Sequence, residues 1–195
     1  VALMFLSVAS RNVESAPPEA APRSWQHLAF PVDADKGVGD QEVARKTILL
    51  AEKLGCYADA RHILRVRGMG AAYANRGIPV GITAWDFDGQ EIFKRAVHGM
   101  TEATAAALGR AGLAIADIDL VVPHQANLRI IEAVAKRARI PMDRCYVNIQ
   151  RYGNMSSATV PVALVEALED GRVAPGCNLL LTGLGAGLSW SAHVL

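Results

Sequence analysis

Residues 118–129 read IDLVVPHQANLR, and residues 152–159 read YGNMSSAT. The first stretch begins as an apolar run over residues 118–122, which predicts a buried strand that Pro123 ends. His124 follows at the carboxyl end of that strand, where α/β sheets usually place their chemistry. This stretch therefore predicts an α/β protein with a functional side chain at a strand end.

The second stretch predicts a similar junction. Residues 145–149 have the composition of a strand, and Gly153 supplies the turn that presents Asn154. An imidazole N–H and a carboxamide N–H aimed at one oxygen would stabilise an enolate or oxyanion by about 3 kcal/mol per donor. We expect His124 and Asn154 to converge in this way, with neither group ionised.

The rest of the C-terminal part alternates between helical and strand patterns. Helices are predicted over residues 90–111, 128–139 and 158–170, and strands over residues 178–182 and 188–195. Pro161 fits only the first turn of its helix. This alternation predicts a layered α/β architecture. Four residues of the helix at 128–139 are expected to face inward: Leu128, Ile131, Ala135 and Ala138.

The first 87 residues give weaker patterns. The apolar start at 1–9 is too short to span a bilayer and is interpreted as a buried strand, and the proline-rich segment at 14–23 as a linker. An amphipathic helix is predicted between Gly39 and Gly55, with strands at residues 62–66 and 79–83. Gly68 and Gly70 are interpreted as a turn, because the rest of a dinucleotide fingerprint does not follow them.

Composition narrows the classes of function. The 195 residues are 51% hydrophobic with a formal net charge of +1, which gives no electrostatic reason to expect a nucleic acid partner. We expect a cytoplasmic protein with no membrane partner. The three cysteines show no paired spacing, so we expect plain thiols, with neither a disulfide framework nor a metal site.

Several motifs occur in an order that resembles one known family. These are residues 88–93 (DGQEIF), the His124 segment, and residues 151–154 (RYGN), 170–172 (DGR), 175–176 (PG) and 183–190 (GLGAGLSW). From about Asp88 to Leu195, the chain resembles the β-ketoacyl-acyl carrier protein synthase III enzymes, which are condensing enzymes of the thiolase fold that start fatty acid synthesis. The resemblance implies a thiolase-like α/β domain over residues 88–195, preceded by a divergent or truncated part at residues 1–87.

The family resemblance also implies roles for individual residues. His124 and Asn154 would be two members of a Cys-His-Asn triad, and the backbone N–H of Ala186 would be one donor of an oxyanion hole. Five residues would border the channel for the phosphopantetheine arm of the carrier protein, with the last of them meeting its acidic surface: Gln125, Ala126, Asn127, Leu128 and Arg129.

The reaction that the resemblance implies is decarboxylative Claisen condensation of acyl-CoA with malonyl-acyl carrier protein, as an acyltransferase without a cofactor. Acyl carrier protein and acyl-CoA would be its partners. We expect a homodimer, or pairing with a chain that bears the cysteine.

The nucleophilic cysteine of that family is the main departure. Its Ala-Cys-Ser/Ala-Gly type of motif does not occur in this sequence, and Cys56, Cys145 and Cys177 lack the expected neighbours. Cys56 is only a weak candidate. We expect that the cysteine-bearing half is missing, so that this chain alone binds malonyl thioester or decarboxylates it slowly.

Three other interpretations remain open at this point. The first is a non-catalytic thiolase-fold subunit that pairs with a complete synthase. The second is a related thiolase-fold enzyme that carries out polyketide starter condensation or acyl transfer to other nucleophiles. The third, an unrelated α/β binding protein, requires the two site motifs to be coincidental.

Overall fold

The computed structural model describes residues 47–60, 62–67 and 84–195. The features predicted at 1–9, 14–23, Gly68 to Gly70 and 79–83 lie outside these residues. Among the described helices, none has the length and apolar character needed to cross a membrane. Within the described ranges the strands and α-helices are, in chain order, β1 (Ala51–Cys56), β2 (Leu64–Arg67), β3 (Ala84–Phe87), α1 (Gly89–Ala111), β4 (Leu120–Pro123), α2 (Leu128–Ala138), α3 (Ile149–Tyr152), α4 (Thr159–Glu169), β5 (Leu179–Gly185) and β6 (Ser189–Val194).

Four of the strands form one mixed sheet in the order β1, β6, β5, β4. β4 and β5 run parallel, with Leu120 beside Leu179 and Pro123 beside Thr182. β6 runs antiparallel to both β5 and β1. β2 and β3 form a separate antiparallel pair. Because β4 and β5 are parallel, the segments that follow them lie at the same edge of the sheet.

The sheet is covered on both faces, as the alternation of side chains along its strands requires. Val121 and Leu180 pack in one cluster with residues of α1. Their neighbours Leu120 and Leu179 pack in a second cluster with Ala163 of α4. The layered α/β architecture predicted from the sequence is confirmed.

Most predicted elements of the C-terminal part are confirmed to within a few residues at their ends. α1 begins after Asp88, whose side chain accepts a hydrogen bond from the backbone N–H of Glu91 at 3.0 Å, and it ends at Gly112 with φ at 69°. Pro161 lies in the first turn of α4, as predicted. On α2, the prediction that Leu128 faces inward is wrong, because this first residue of the helix is 43% exposed.

The helix predicted between Gly39 and Gly55 is wrong in the part that the structure describes. Residues 51–56 are β1, with Ala51 opposite Val194 and Cys56 opposite Ser189 on β6. A Cβ added to Gly55 would lie 2.3 Å from the ring of Trp190, so this glycine permits a close approach within a strand and does not end a helix. Pairing with β6 has overridden a helical pattern of charges.

The strand predicted at residues 145–149 is also wrong. Cys145 forms a single parallel bridge with Val121, and the backbone N–H of Tyr146 donates to the Val121 carbonyl at 2.8 Å. The next backbone donors, on Asn148 and Ile149, instead bond to the side chain of Gln125. A strand needs a continuous ladder of backbone partners, so pairing stops here and α3 begins.

The packing of α1 on β6 gives a prediction about two glycines of the same helix. Gly99 is buried, and a Cβ there would lie 2.6 Å from the Trp190 ring, whereas a Cβ on Gly109 meets nothing within 4 Å. We expect Gly99→Ala to lower the free energy of unfolding by about 1–3 kcal/mol through overpacking. The control Gly109→Ala should raise it by about 0.5–1 kcal/mol, because alanine favours the helix. Urea denaturation measures both, and equal effects at the two sites would contradict the packing described.

Candidate active site

His124 lies at the end of β4 and extends the pairing of that strand. Its backbone N–H donates to the Thr182 carbonyl of β5 at 2.8 Å. Its side chain is largely buried, and Nδ1 forms a short hydrogen bond with Oγ1 of Thr159. Burial lowers the pKa of His124 from its ordinary value of 6.5 to about 4, because an imidazolium would lose its hydration there. The imidazole is therefore neutral near pH 7.

Thr159 is the residue that holds the imidazole. It is fully buried at the start of α4, and its hydroxyl donates to the Ser156 carbonyl at 3.0 Å. The same carbonyl also accepts the backbone N–H of Thr159. A hydroxyl carries one proton and two lone pairs, and it rotates to suit its partners. Thr159 can thus accept from a protonated Nδ1 or donate to an unprotonated one. In both cases Nδ1 is occupied, and Nε2 is the ring nitrogen left for a ligand.

Asn154 lies on the second loop and is exposed. It follows Gly153, whose φ of 66° turns the chain after α3. The side-chain oxygen of Asn154 accepts the backbone N–H of Ser156 at 2.9 Å. Only the oxygen of a carboxamide can accept this bond, so the amide nitrogen is the end that remains to donate.

A series of hydrogen bonds therefore connects the two predicted site residues. His124 contacts Thr159, Thr159 contacts Ser156, and Ser156 contacts Asn154. The loop after β4 and the loop before α4 are joined at the carboxyl edge of the sheet. The convergence of the imidazole and the carboxamide on one oxygen remains a prediction, but the loops that carry them form one connected unit.

A second network holds the loop that leads to Asn154. Glu166 of α4 accepts hydrogen bonds from Asn148 Nδ2 and Arg151 Nη2, each at 2.7 Å, and a short one from the Tyr152 hydroxyl. Burial by itself would raise the pKa of Glu166, but these hydrogen bonds and the charge of Arg151 lower it below its ordinary value. The ionised carboxylate thus ties α3 to α4.

The five residues predicted to border a carrier channel differ in their environments. Gln125 is completely buried and bonds to backbone groups. Asn127 caps α2, because its side-chain oxygen accepts the backbone N–H of Arg129 at 2.9 Å. Ala126 is half-buried, whereas Leu128 and Arg129 are exposed. Leu128 and Arg129 therefore present their side chains to solvent, and Gln125 does not.

Ala186 lies in the exposed turn between β5 and β6. β5 runs parallel to β4, so this turn lies at the same edge of the sheet as His124. The assignment of its N–H to an oxyanion hole stays a prediction.

The three cysteines differ in their settings, and none has the sequence neighbours of the family's nucleophile. Cys145 is buried, which raises its pKa from 9.0 to about 11. Sγ of Cys177 accepts the backbone N–H of Ala174 at 3.2 Å, and Cys56 is exposed at the end of β1. Within the described segments, no group of three or more histidine, cysteine or acidic side chains is arranged to hold a metal ion.

Sequence reasoning missed two residues of this site. Thr159 and Glu166 both lie on α4. Thr159 ends the stretch at 152–159 but carries no predicted role there, and Glu166 lies outside the motifs around His124 and Asn154. A signal for Thr159 was present, because a hydroxyl residue at the first position of a helix, five residues after Asn154, lies close to that loop. Glu166 gave no comparable signal, since its partners are separated from it by 14 to 18 residues.

Known proteins are similar to this chain in sequence and in fold. A protein-family model described as 3-oxoacyl-[acyl-carrier-protein (ACP)] synthase III C terminal matches residues 108–195. The chain is 49% identical over 148 residues to a β-ketoacyl-[acyl-carrier-protein] synthase III 2 of Vibrio cholerae, covering 76% of this chain and 41% of that protein.

Two solved structures have a similar fold. The β-ketoacyl-[acyl carrier protein] synthase III of Thermus thermophilus matches with a TM-score of 0.67 and 41% identity, covering 75% of this chain and 45% of that one. The priming β-ketosynthase of the R1128 polyketide biosynthetic pathway matches with a TM-score of 0.65 and 34% identity, covering 74% of this chain and 43% of that one. The chain thus spans less than half the length of these relatives.

The fold and the two connected loops define the C-terminal half of a thiolase-like α/β protein, which confirms the predicted fold class. Residues 108–195 match the C-terminal part of the 3-oxoacyl-[acyl-carrier-protein] synthase III family, and the chain is similar to a protein of that name over 148 residues. The family resemblance seen in the sequence is confirmed.

The contact between His124 and Thr159 gives a prediction about stability. Thr159→Val keeps the shape of the side chain but leaves Nδ1 without its partner, which should lower the free energy of unfolding by about 1–3 kcal/mol. Thr159→Ser keeps the hydroxyl and should cost less. Denaturation measures the stability, and ¹⁵N NMR of the imidazole reports the state of Nδ1. A valine variant with the stability and the imidazole spectrum of the serine variant would contradict the role of the hydroxyl.

The lowered pKa of His124 gives a prediction about pH. Between the ordinary value of 6.5 and about 4, the unfolded chain binds a proton at this residue and the folded chain does not. The contribution of His124 to stability is therefore present above about pH 6.5 and is lost as the pH falls toward 4. We expect the unfolding free energy of the unaltered chain, relative to that of His124→Gln, to fall by about 1–3 kcal/mol over this range. A difference that is constant with pH would show that the ring titrates normally.

Proposed function

We propose that this chain is the malonyl-binding half of a β-ketoacyl-acyl carrier protein synthase III, a cytoplasmic acyltransferase of fatty acid biosynthesis. The observation that carries the proposal is the connected pair of loops, which presents a neutral imidazole and an unoccupied amide nitrogen at one edge of the sheet. The similarity to proteins named β-ketoacyl-[acyl-carrier-protein] synthase III supports it. The substrates in this proposal are acyl-CoA and malonyl-acyl carrier protein.

The proposed reaction builds negative charge on a thioester oxygen. When the malonyl group loses carbon dioxide, the electron pair of the broken C–C bond becomes an enolate delocalised onto that oxygen. Nε2–H of His124 and Nδ2–H of Asn154 donate to it. In this tautomer the Thr159 hydroxyl turns its one proton from the Ser156 carbonyl to Nδ1, and that carbonyl keeps the backbone N–H of Thr159 as a donor. Each donor stabilises the developing charge by about 3 kcal/mol. No cofactor takes part.

The condensation step then joins two carbon atoms. The enolate carbon attacks the carbonyl carbon of an acyl thioester on a cysteine, the backbone N–H of Ala186 stabilises the tetrahedral oxyanion, and the cysteine leaves as a thiolate. We propose that this cysteine comes from sequence that these 195 residues do not supply, because the family's Ala-Cys-Ser/Ala-Gly type of motif does not occur in them and burial raises the pKa of the Cys145 thiol. Pairing with a cysteine-bearing chain would complete the site, whereas a homodimer of these 195 residues would not add that cysteine.

A related candidate is a priming ketosynthase for polyketide starters, which the similarity to the R1128 priming β-ketosynthase favours. Both candidates decarboxylate a malonyl thioester, and they differ in the acyl group that accepts the enolate. Comparing acyl-CoA substrates of different length in an enzyme completed with its cysteine distinguishes the two.

The proposed function is tested with the chain as it is. Given malonyl-acyl carrier protein, it should release carbon dioxide slowly, and His124→Ala or Asn154→Ala should each lower kcat by about 100-fold. His98→Ala is a matched control, because this histidine on α1 is exposed and its Nδ1 lies next to Tyr57 and Glu102, away from the two loops. With acetyl-CoA added, we expect no acetoacetyl-carrier.

Two outcomes would contradict the proposal. Rapid condensation by this chain alone would show that one of its cysteines is the nucleophile. If the chain neither binds nor decarboxylates malonyl thioester, and a complete synthase co-purifies with it, the result would favour a non-catalytic thiolase-fold subunit.

A further inference from the structure

Gln125 is fully buried next to His124, and the whole hydrogen-bonding capacity of its side chain is used inside the protein. Nε2 donates to the Pro123 carbonyl at 2.8 Å and to the Tyr146 carbonyl at 3.0 Å. Oε1 accepts the backbone N–H of Asn148 at 3.1 Å and that of Ile149 at 3.2 Å. A carboxamide has two N–H donors and two acceptor lone pairs, so no capacity remains for a ligand.

These bonds join the two loops of the site. One partner, Pro123, is the last residue of β4, directly before His124. The other three follow the Cys145 bridge on the way to Asn154: Tyr146, Asn148 and Ile149, the first residue of α3. The carboxamide therefore takes the place of a peptide group where the ladder between β4 and this segment stops.

We propose that Gln125 is a positioning residue that sets the separation between the His124 loop and the Asn154 loop, and that it makes no contact with the carrier protein or its arm. The catalytic part of this inference rests on the proposed function. Glutamate cannot replace it, since an ionised carboxylate has no proton for the two carbonyls, and methionine fills the space without donors or acceptors. Either change leaves buried backbone groups without partners.

The first test needs neither a variant nor an activity. In NMR hydrogen exchange on the unaltered chain, the side-chain N–H₂ protons of Gln125 should exchange at least about tenfold more slowly than those of Gln150, an exposed residue on α3. The backbone protons of Asn148 and Ile149 should be protected as well. Adding malonyl-acyl carrier protein should leave these signals in place. Exchange of the Gln125 side chain as fast as that of Gln150, or a carrier-induced shift of its signals larger than that of its neighbours, would overturn the proposal.

The second test separates positioning from binding. Gln125→Met should lower kcat for malonyl decarboxylation by about 10- to 100-fold, because a small displacement of aligned groups is costly, and should leave KM for the carrier within about twofold. The matched control Gln150→Met should change neither value, whereas Arg129→Ala should raise KM if the exposed guanidinium meets the carrier.

A raised KM with an unchanged kcat in Gln125→Met would make Gln125 a carrier contact and overturn the proposal. If the variant does not fold, the exchange measurement on the unaltered chain still decides it. Absence of decarboxylation by the unaltered chain would count against the proposed function alone, since the exchange measurement does not depend on turnover.

Discussion

The parallel pairing of β4 with β5 is the constraint on which the rest of this structure depends. It brings the carboxyl ends of both strands to one edge of the sheet, and the bond from the His124 N–H to the Thr182 carbonyl extends the pairing beyond the end of β4. The backbone of His124 is thereby fixed by the sheet itself. The side chain of Thr159, from the start of α4, then contacts an imidazole whose backbone the strands hold in place.

Burial and hydrogen bonding act in opposite ways on the two ionisable groups of this edge. Burial keeps the imidazole of His124 neutral, because its one described partner is an uncharged hydroxyl. Glu166, by contrast, stays ionised because Tyr152, Asn148 and Arg151 all donate to it. The charges of this network are those of Glu166 and Arg151, whereas His124 and Asn154 are neutral donors.

The sequence predicted those parts of the fold whose signal is local. The long helix α1, the strand before His124 and the hairpin of β5 and β6 all follow from periodicity over a single segment. The errors at residues 51–56 and 145–149 have a common cause, because a distant partner decided the backbone state there. The first segment is a strand because it pairs with β6 and packs Gly55 against Trp190. In the second, the backbone N–H of Asn148 bonds to the side chain of Gln125 and not to a strand. Motif order indicated His124 and Asn154, but no motif showed that Thr159 connects their loops or that Gln125 is buried.

The neutrality of His124 bears directly on the proposed chemistry. An enolate is both a carbon nucleophile and a strong base, so a donor that is too acidic would protonate it and waste the carbanion. A buried imidazolium with a pKa of about 4 would be such an acid, whereas a neutral imidazole N–H stabilises the charge and retains its proton. A neutral donor, however, contributes only when it is aligned, because it has no net charge to act at longer range. The fixed contacts from Thr182 and Thr159 to His124, and the buried carboxamide of Gln125 beside it, supply that alignment through the backbone and uncharged side chains.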